Sequence, residues 1–440
     1  MNKDFCIGRY ILIGILVPAV ALLFSNIVIA QAQIQPRTLT LSPTGGDMQS
    51  AIQNALNTVG SGGTVKLTAG IFNHSAQLNV PANVTFAGAG ISSVLIGTTS
   101  NYVVLLSNGS SLKNMSIQQE HPVLNLSSMS DALAVAGAAA VNAKNYTMSG
   151  LNISNTTADA ILLKNATGTV SNCNVASHVN GRGMMLENSG GYLLNNSISS
   201  GLLALLQVSN YGLNTPLIVS GNKIKNGSFV YVIGGKGFQL VNNNILVDEC
   251  IFEFCTSSIF NGNNISGPVL ILACPGNTKV NGNRFNNELE LEDLSGPVQI
   301  TNNTFANIPS EAGHPIDACA VQVCKNVSFT GNTVSNVSGA ALSVLEGSGF
   351  LNIGSKNSGP IKNNSNINNA LSNVWTGSPA SMGIQHPAVI EVDSSNYTAS
   401  FTDNNYAGPV NHLRYFIYDA GKGSVTESGN STNTILKSVY

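Results

Sequence analysis

Glu187, Gln207, Glu253, Glu290 and Glu292 share a setting: each sits beside apolar residues in a short run, in GMMLEN, LALLQV, CIFEFC and ELELED. In a β-strand successive side chains point to opposite faces, so a polar residue next to an inward apolar one faces water. The inward pairs read from this alternation are Ile161/Leu163, Met184/Leu186, Val230/Val232, Val269/Ile271, Leu289/Leu291 and Val321/Val323. Lys164 and the five residues above then share one outer face, a step of about 4.8 Å apart if the strands stack. Such a file can grip the hydroxyl groups of a ligand. Glu253, Glu290 and Glu292 are also the candidates to hold Ca²⁺, which takes oxygen ligands. The competing reading carries the greater weight: water-facing strands need polar side chains anyway, and Lys164 beside Glu187 makes a weak surface pair.

A second group lies in PSEAGHPIDAC, residues 309–319. Glu311, His314 and Asp317 there could act as acid, base or metal ligands, since long loops on a rigid scaffold often carry function. Arg182, near His178 in HVNGRG, directly precedes an outward strand and is the candidate basic catalyst. Ordinary loop polarity and a solvated turn arginine explain the same residues.

What positions them is a repeat. The pattern apolar, any, Gly/Asn/Asp, Asn, any, apolar recurs as LLNNSI, VSGNKI, LVNNNI, FNGNNI, VNGNRF, ITNNTF and FTGNTV, with Cys173 replacing Asn in VSNCNV. Its fourth position falls at residues 173, 196, 222, 243, 263, 283, 303 and 332, in steps of 20 to 29 residues. That is the period of a solenoid coil. Each coil adds a second strand-length apolar run without helical periodicity, so the reading is β throughout. Asn tolerates left-handed backbone angles, and the same Asn stacked coil on coil predicts an amide ladder inside the bend. No leucine-rich signature and no six-residue period is present, which leaves a right-handed parallel β-helix of some dozen coils. Asp47 and the helically spaced Met48, Ile52, Ala55, Leu56 and Val59 predict a capping helix over residues 47–59.

Composition agrees. Charged residues make up 9%, net charge is −2 and Asn reaches 57, which suits short apolar strands joined by polar turns and offers no basic face for nucleic acid. Lys3 and Arg9 precede ILIGILVPAVALLFSNIVIA, so residues 1–32 read as a signal peptide, or as an anchor if uncleaved; a membrane contact is expected only in the second case. The solenoid is expected over 38–440, with 381–440 forming its last coils and end cap. After Cys6 six cysteines remain. Cys255 and Cys274, nineteen residues apart, would stack within disulfide reach, whereas Cys250 and Cys319 share a column three coils apart and cannot pair.

The order D-x-x-x-I-Q-x-A-L, GGTVKLTAGIF and LNVPANVTFAGAG, followed by Asn-turn coils, resembles the pectin lyase-like superfamily over roughly residues 40 to 410. The resemblance implies a secreted protein that binds polysaccharide or a cell-surface glycan. It also implies either pectate lyase-like β-elimination on uronate polymers, with Ca²⁺ as the one expected cofactor, or a non-catalytic adhesion role with the solenoid as spacer. The superfamily's hydrolase motifs (NTD, DD, GHG, RIK), its epimerase DPH and its lyase WiDH are all missing from this sequence, which lowers the expectation of each named activity.

Overall fold

A computed structural model of the chain describes residues 37–345 except 100, 121–135, 157–158, 178–181, 202–205, 211–214, 310–315, 325–326 and 338. Beyond 345 it describes the strands 352–353, 365–369, 388–392, 398–402, 405–406, 415–419, 424–428 and 431–432. The leader therefore lies outside the described residues. No helix among those described is long and apolar enough to cross a membrane.

The molecule is a right-handed parallel β-helix with three faces. The first face is a sheet of sixteen strands, from Thr38–Leu41 to Ser424–Ser428, each paired in parallel with the next. The second and third faces are two further ladders, merged where the long strands Lys223–Gly234 and Asn244–Glu253 run through both. Parallel pairing with crossovers of roughly twenty residues is what the repeat length demands, and such crossovers are right-handed in nearly all proteins.

The alternation in sequence becomes the inside and outside of each face. Ile198, Ile224, Ile245, Ile265, Phe285 and Phe305 stack in one inward column of the second face, all buried. Phe285 lies parallel over Phe305 with ring centroids 5.1 Å apart. Each such side chain contributes roughly 1.5–3 kcal/mol on burial. The α-helix Gln49–Thr58 closes the first coils by burying Ile52, Ala55 and Leu56. It begins two residues later than the sequence reading placed it, with the Asp47 carboxylate accepting from the Gln49 amide at 2.9 Å.

The Asn-rich turns carry the predicted ladder. Asn196, Asn222, Asn243, Asn263, Asn283, Asn303 and Asn332 are buried in successive coils. Each of the first six donates from its side-chain amide to the Oδ1 of the next, at 2.9–3.0 Å. Cys173 ends the ladder, its backbone N–H donating to Asn196 Oδ1. The residue before each rung takes a left-handed angle: Asn195, Gly221, Asn242, Gly262, Gly282, Asn302 and Gly331 all have positive φ. Gly221, Gly262 and Gly331 also lie close to the Asn of the coil before; a Cβ on Gly262 would come within 2.3 Å of Asn242 Oδ1. The same turn sets an outward Asn, an inward residue and a partly exposed Ser or Thr in succession at Asn195–Ser197 and Asn302–Thr304.

Candidate functional site

The outer side of the third face holds most of the residues singled out in sequence, and register sorts them into two columns. One contains Leu105, Ala139, Leu162, Met185, Gln207, Tyr231, Ile251, Leu270, Glu290 and Ala320. The other contains Lys164, Glu187, Ser209, Ile233, Glu253, Leu272, Glu292 and Gln322. The predicted stripe is therefore outward as expected, but it is not one continuous file. Leu272 stands between Glu253 and Glu292, so two coil steps of about 4.8 Å each separate them. Glu253, Glu290 and Glu292 do not converge, and no group of three metal-ligating side chains occurs among the described residues. One expected inward pair also shifts: Cys319 and Val321 point inward, while Val323 is a turn residue with φ 51°.

The upstream part of this surface is closed. Ala136, Ala139, Leu162 and Met185 face outward yet are buried. Asp159 and Arg182, both within 3% of full burial, form a two-point ion pair with Nε–Oδ1 2.7 Å and Nη2–Oδ2 3.1 Å. Burial pushes Asp159 up to about 6 even though the guanidinium pulls it down. Arg182 is thus neither solvated nor open to a substrate, and as a cation bonded to a carboxylate it is not placed to take a proton. Lys164 and Glu187 pair at 2.8 Å at the half-exposed margin. Sequence reasoning missed Asp159, although ADAILLK and GRGMMLE align coil on coil and put Asp159 and Arg182 at the same place in their coils.

The downstream part is open. Tyr231, Ile233, Ile251, Leu270 and Leu272 form a half-exposed apolar strip across three successive coils. Phe229 and Phe254 are 39% and 49% exposed at its margins. Phe254 takes φ 53°, a conformation few bulky residues adopt. Tyr231 donates its hydroxyl proton to Glu253 at 3.1 Å. Glu249, Glu253, Glu288, Glu290 and Glu292 stand around the strip. No Lys or Arg occupies an outward third-face position among the described residues from Phe229 to Gln322.

At the far end Asp317 is bound by the Ala340 amide at 2.6 Å and by the Ser343 hydroxyl. Burial raises it while those two bonds hold it down. Glu288 lies close enough to feel Asp317 and Glu290; burial first, then those two charges, push it up to about 8. Sequence reasoning passed over Glu288, though it has the same parity as Glu290 and Glu292. Glu311 and His314 fall outside the described residues. Cys255 and Cys274 do stack in adjacent coils, as free buried thiols, with the Cys255 amide donating to Cys274 Sγ at 3.1 Å.

With the geometry in hand, the fold is that of the right-handed parallel β-helix proteins. No model of a known protein family matches the chain, and no curated protein matches it. Among solved structures it is similar to the catalytic unit of a thermostable GH87 α-1,3-glucanase from Streptomyces thermodiastaticus, at 16% identity over 90% of this chain and 70% of that one, TM-score 0.45. It is similar to the A-module of the mannuronan C-5 epimerase AlgE6 from Azotobacter vinelandii, at 14% identity over 89% and 96%, TM-score 0.42. It is also similar to PfbA, a surface adhesin of Streptococcus pneumoniae, at 10% identity over 90% of each chain, TM-score 0.41. Likenesses at this level say nothing of the chemistry on the third face.

Proposed function

We propose that this protein binds polysaccharide along the outer third face, over the strip from Phe229 to Leu272 and its carboxylates. The observation that carries the reading is the strip itself: five apolar or aromatic side chains point outward from a sheet in register and stay half-exposed. Exposed rings beside carboxylates match what a sugar presents, a flat apolar ring face with hydroxyl donors at its edge. Singly scattered exposed apolar residues need no explanation, but a contiguous ordered patch marks a contact surface.

The reading is binding rather than β-elimination, because Arg182, the basic residue expected to remove a proton, is held in a buried pair with Asp159. Glu253 and Glu292 are moreover too far apart to share one Ca²⁺ with Glu290. Secretion and attachment outside the cell by residues 1–32 remain part of the proposal. The test is affinity electrophoresis of the whole exported chain against a panel of neutral, amino-sugar and uronate polymers, with Phe254→Ala and Leu270→Asp as variants. Retardation by at least one polymer, weakened about tenfold or more by each variant, is expected; retardation indifferent to both would move the site elsewhere. Ultraviolet-absorbing unsaturated products that need Ca²⁺ would restore the lyase.

A further inference from the structure

The charge around the strip selects among polysaccharides. Glu249, Glu253, Glu290 and Glu292 lie on or beside the three coils that carry the apolar side chains, and no Lys or Arg among the described residues shares their third-face strand positions; the exposed Lys223 and Lys225 of the same coils lie on the second face and Lys236 in the turn beyond. Neither of the two ion pairs found among the described residues involves these carboxylates; both lie upstream, at Asp159–Arg182 and Lys164–Glu187. A uronate polymer would bring a negative charge on every residue to a surface that already carries several. Like charges brought together across an interface cost several kcal/mol. A neutral glucan would avoid that cost but would leave the carboxylates without counter-charges.

We infer that the strip is built for a polycationic amino-sugar polymer, whose ring faces lie on Tyr231, Phe254, Ile251 and Leu270 while its ammonium groups meet Glu253, Glu290 and Glu292. The inference rests on the proposal that the third face binds polysaccharide, and it names the class of sugar. A chain of cationic rings satisfies both halves of the surface, since N⁺–H···O⁻ bonds are roughly twice as strong as neutral ones. Aromatic faces add attraction for cations placed over them. Coils about 4.8 Å apart repeat the offer along the solenoid axis, which suits an extended polymer better than a compact ligand. Glu288 supports the same reading from the strip's end: burial first, then the neighbouring Asp317 and Glu290 charges, raise it to about 8, and an ammonium group arriving beside it would draw its proton off.

The experiment is isothermal titration of the whole chain with a β-linked glucosamine oligomer, with its fully N-acetylated counterpart and with an oligogalacturonate of equal length. Each is run at two salt concentrations, and in two buffers of different ionisation enthalpy to read proton release. The glucosamine oligomer is expected to bind at least about tenfold more tightly than the acetylated one, to weaken with salt as screening shortens to about 10 Å at 0.1 M, and to release protons. The triple variant Glu253→Gln/Glu290→Gln/Glu292→Gln should bind both oligomers alike. Equal binding of the acetylated oligomer, still abolished by Leu270→Asp, overturns the amino-sugar assignment and keeps the site. Preference for the uronate overturns it too. A lysine-rich peptide of equal charge that binds as tightly as the amino sugar overturns the assignment to a glycan. No binding by any oligomer overturns the site and the assignment together.

Discussion

The outer third face has two halves that the same alternation produces and the same ladder supports, yet they end in opposite states. From Ala136 to Met185 the outward apolar residues are covered, and Asp159, Arg182, Lys164 and Glu187 on this face stand in two opposite-charge pairs. From Phe229 to Glu292 the outward apolar residues stay half-exposed, and the carboxylates crowd one another. The difference teaches that an outward position on a solenoid is not a surface position by right. Charge is tolerated in the covered half only as a two-point pair, because an unpaired buried ion costs several kcal/mol. In the open half water screens the more exposed carboxylates, while Glu288, buried at its end and facing Asp317 and Glu290, is pushed up to about 8.

The sharpest way to break the comparison is to unpair the covered half. Arg182→Met leaves Asp159 buried without a counter-charge and should cost about 3–5 kcal/mol. Denaturant unfolding should show this loss, while Glu253→Gln, in the open half, should cost well under 1 kcal/mol. Comparable losses from the two variants would mean that the halves do not differ as described. The double variant Asp159→Leu/Arg182→Met, which removes both charges, should recover much of the stability.

A smaller effect separates the halves by pH. Glu288 is raised in the folded state from an ordinary value of 4.5 to about 8. Its contribution is therefore fully present below about pH 4.5 and is lost as pH climbs toward 8, because the unfolded chain releases that proton first. Thermal stability should fall across this window in the parent chain and fall less in Glu288→Gln. A variant profile that parallels the parent's would remove Glu288 from the account. The smallest effect belongs to Lys164→Gln. Its pair with Glu187 is half-exposed, so the loss should stay within about 1 kcal/mol and shrink further in high salt.

Much of this was legible before any coordinates. The Asn at 196, 222, 243, 263, 283, 303 and 332 announced both the coil and its inward amide ladder, because one residue type at one place per turn is a local signal repeated many times. The inward columns followed from alternation alone. The candidate site was legible only in part. Glu253, Glu290 and Glu292 stand on the outward side that alternation gives them, and Glu288 could have been placed there by the same parity. Arg182 was taken for a solvent-facing base when it is buried.

The sequence by itself determined the coil, its turns and the inside of each strand, since these depend on residues within one turn of chain. Only the tertiary structure decided which outward residues become neighbours. Coils differ in length, so residues that look alike in successive runs fall into different columns or skip a coil, as Leu272 does between Glu253 and Glu292. It also decided which outward positions are covered, as at Asp159 and Arg182, twenty-three residues apart in sequence and bonded in space. Burial and neighbouring charge depend on the stacking of whole coils, and no single run of residues contains that information.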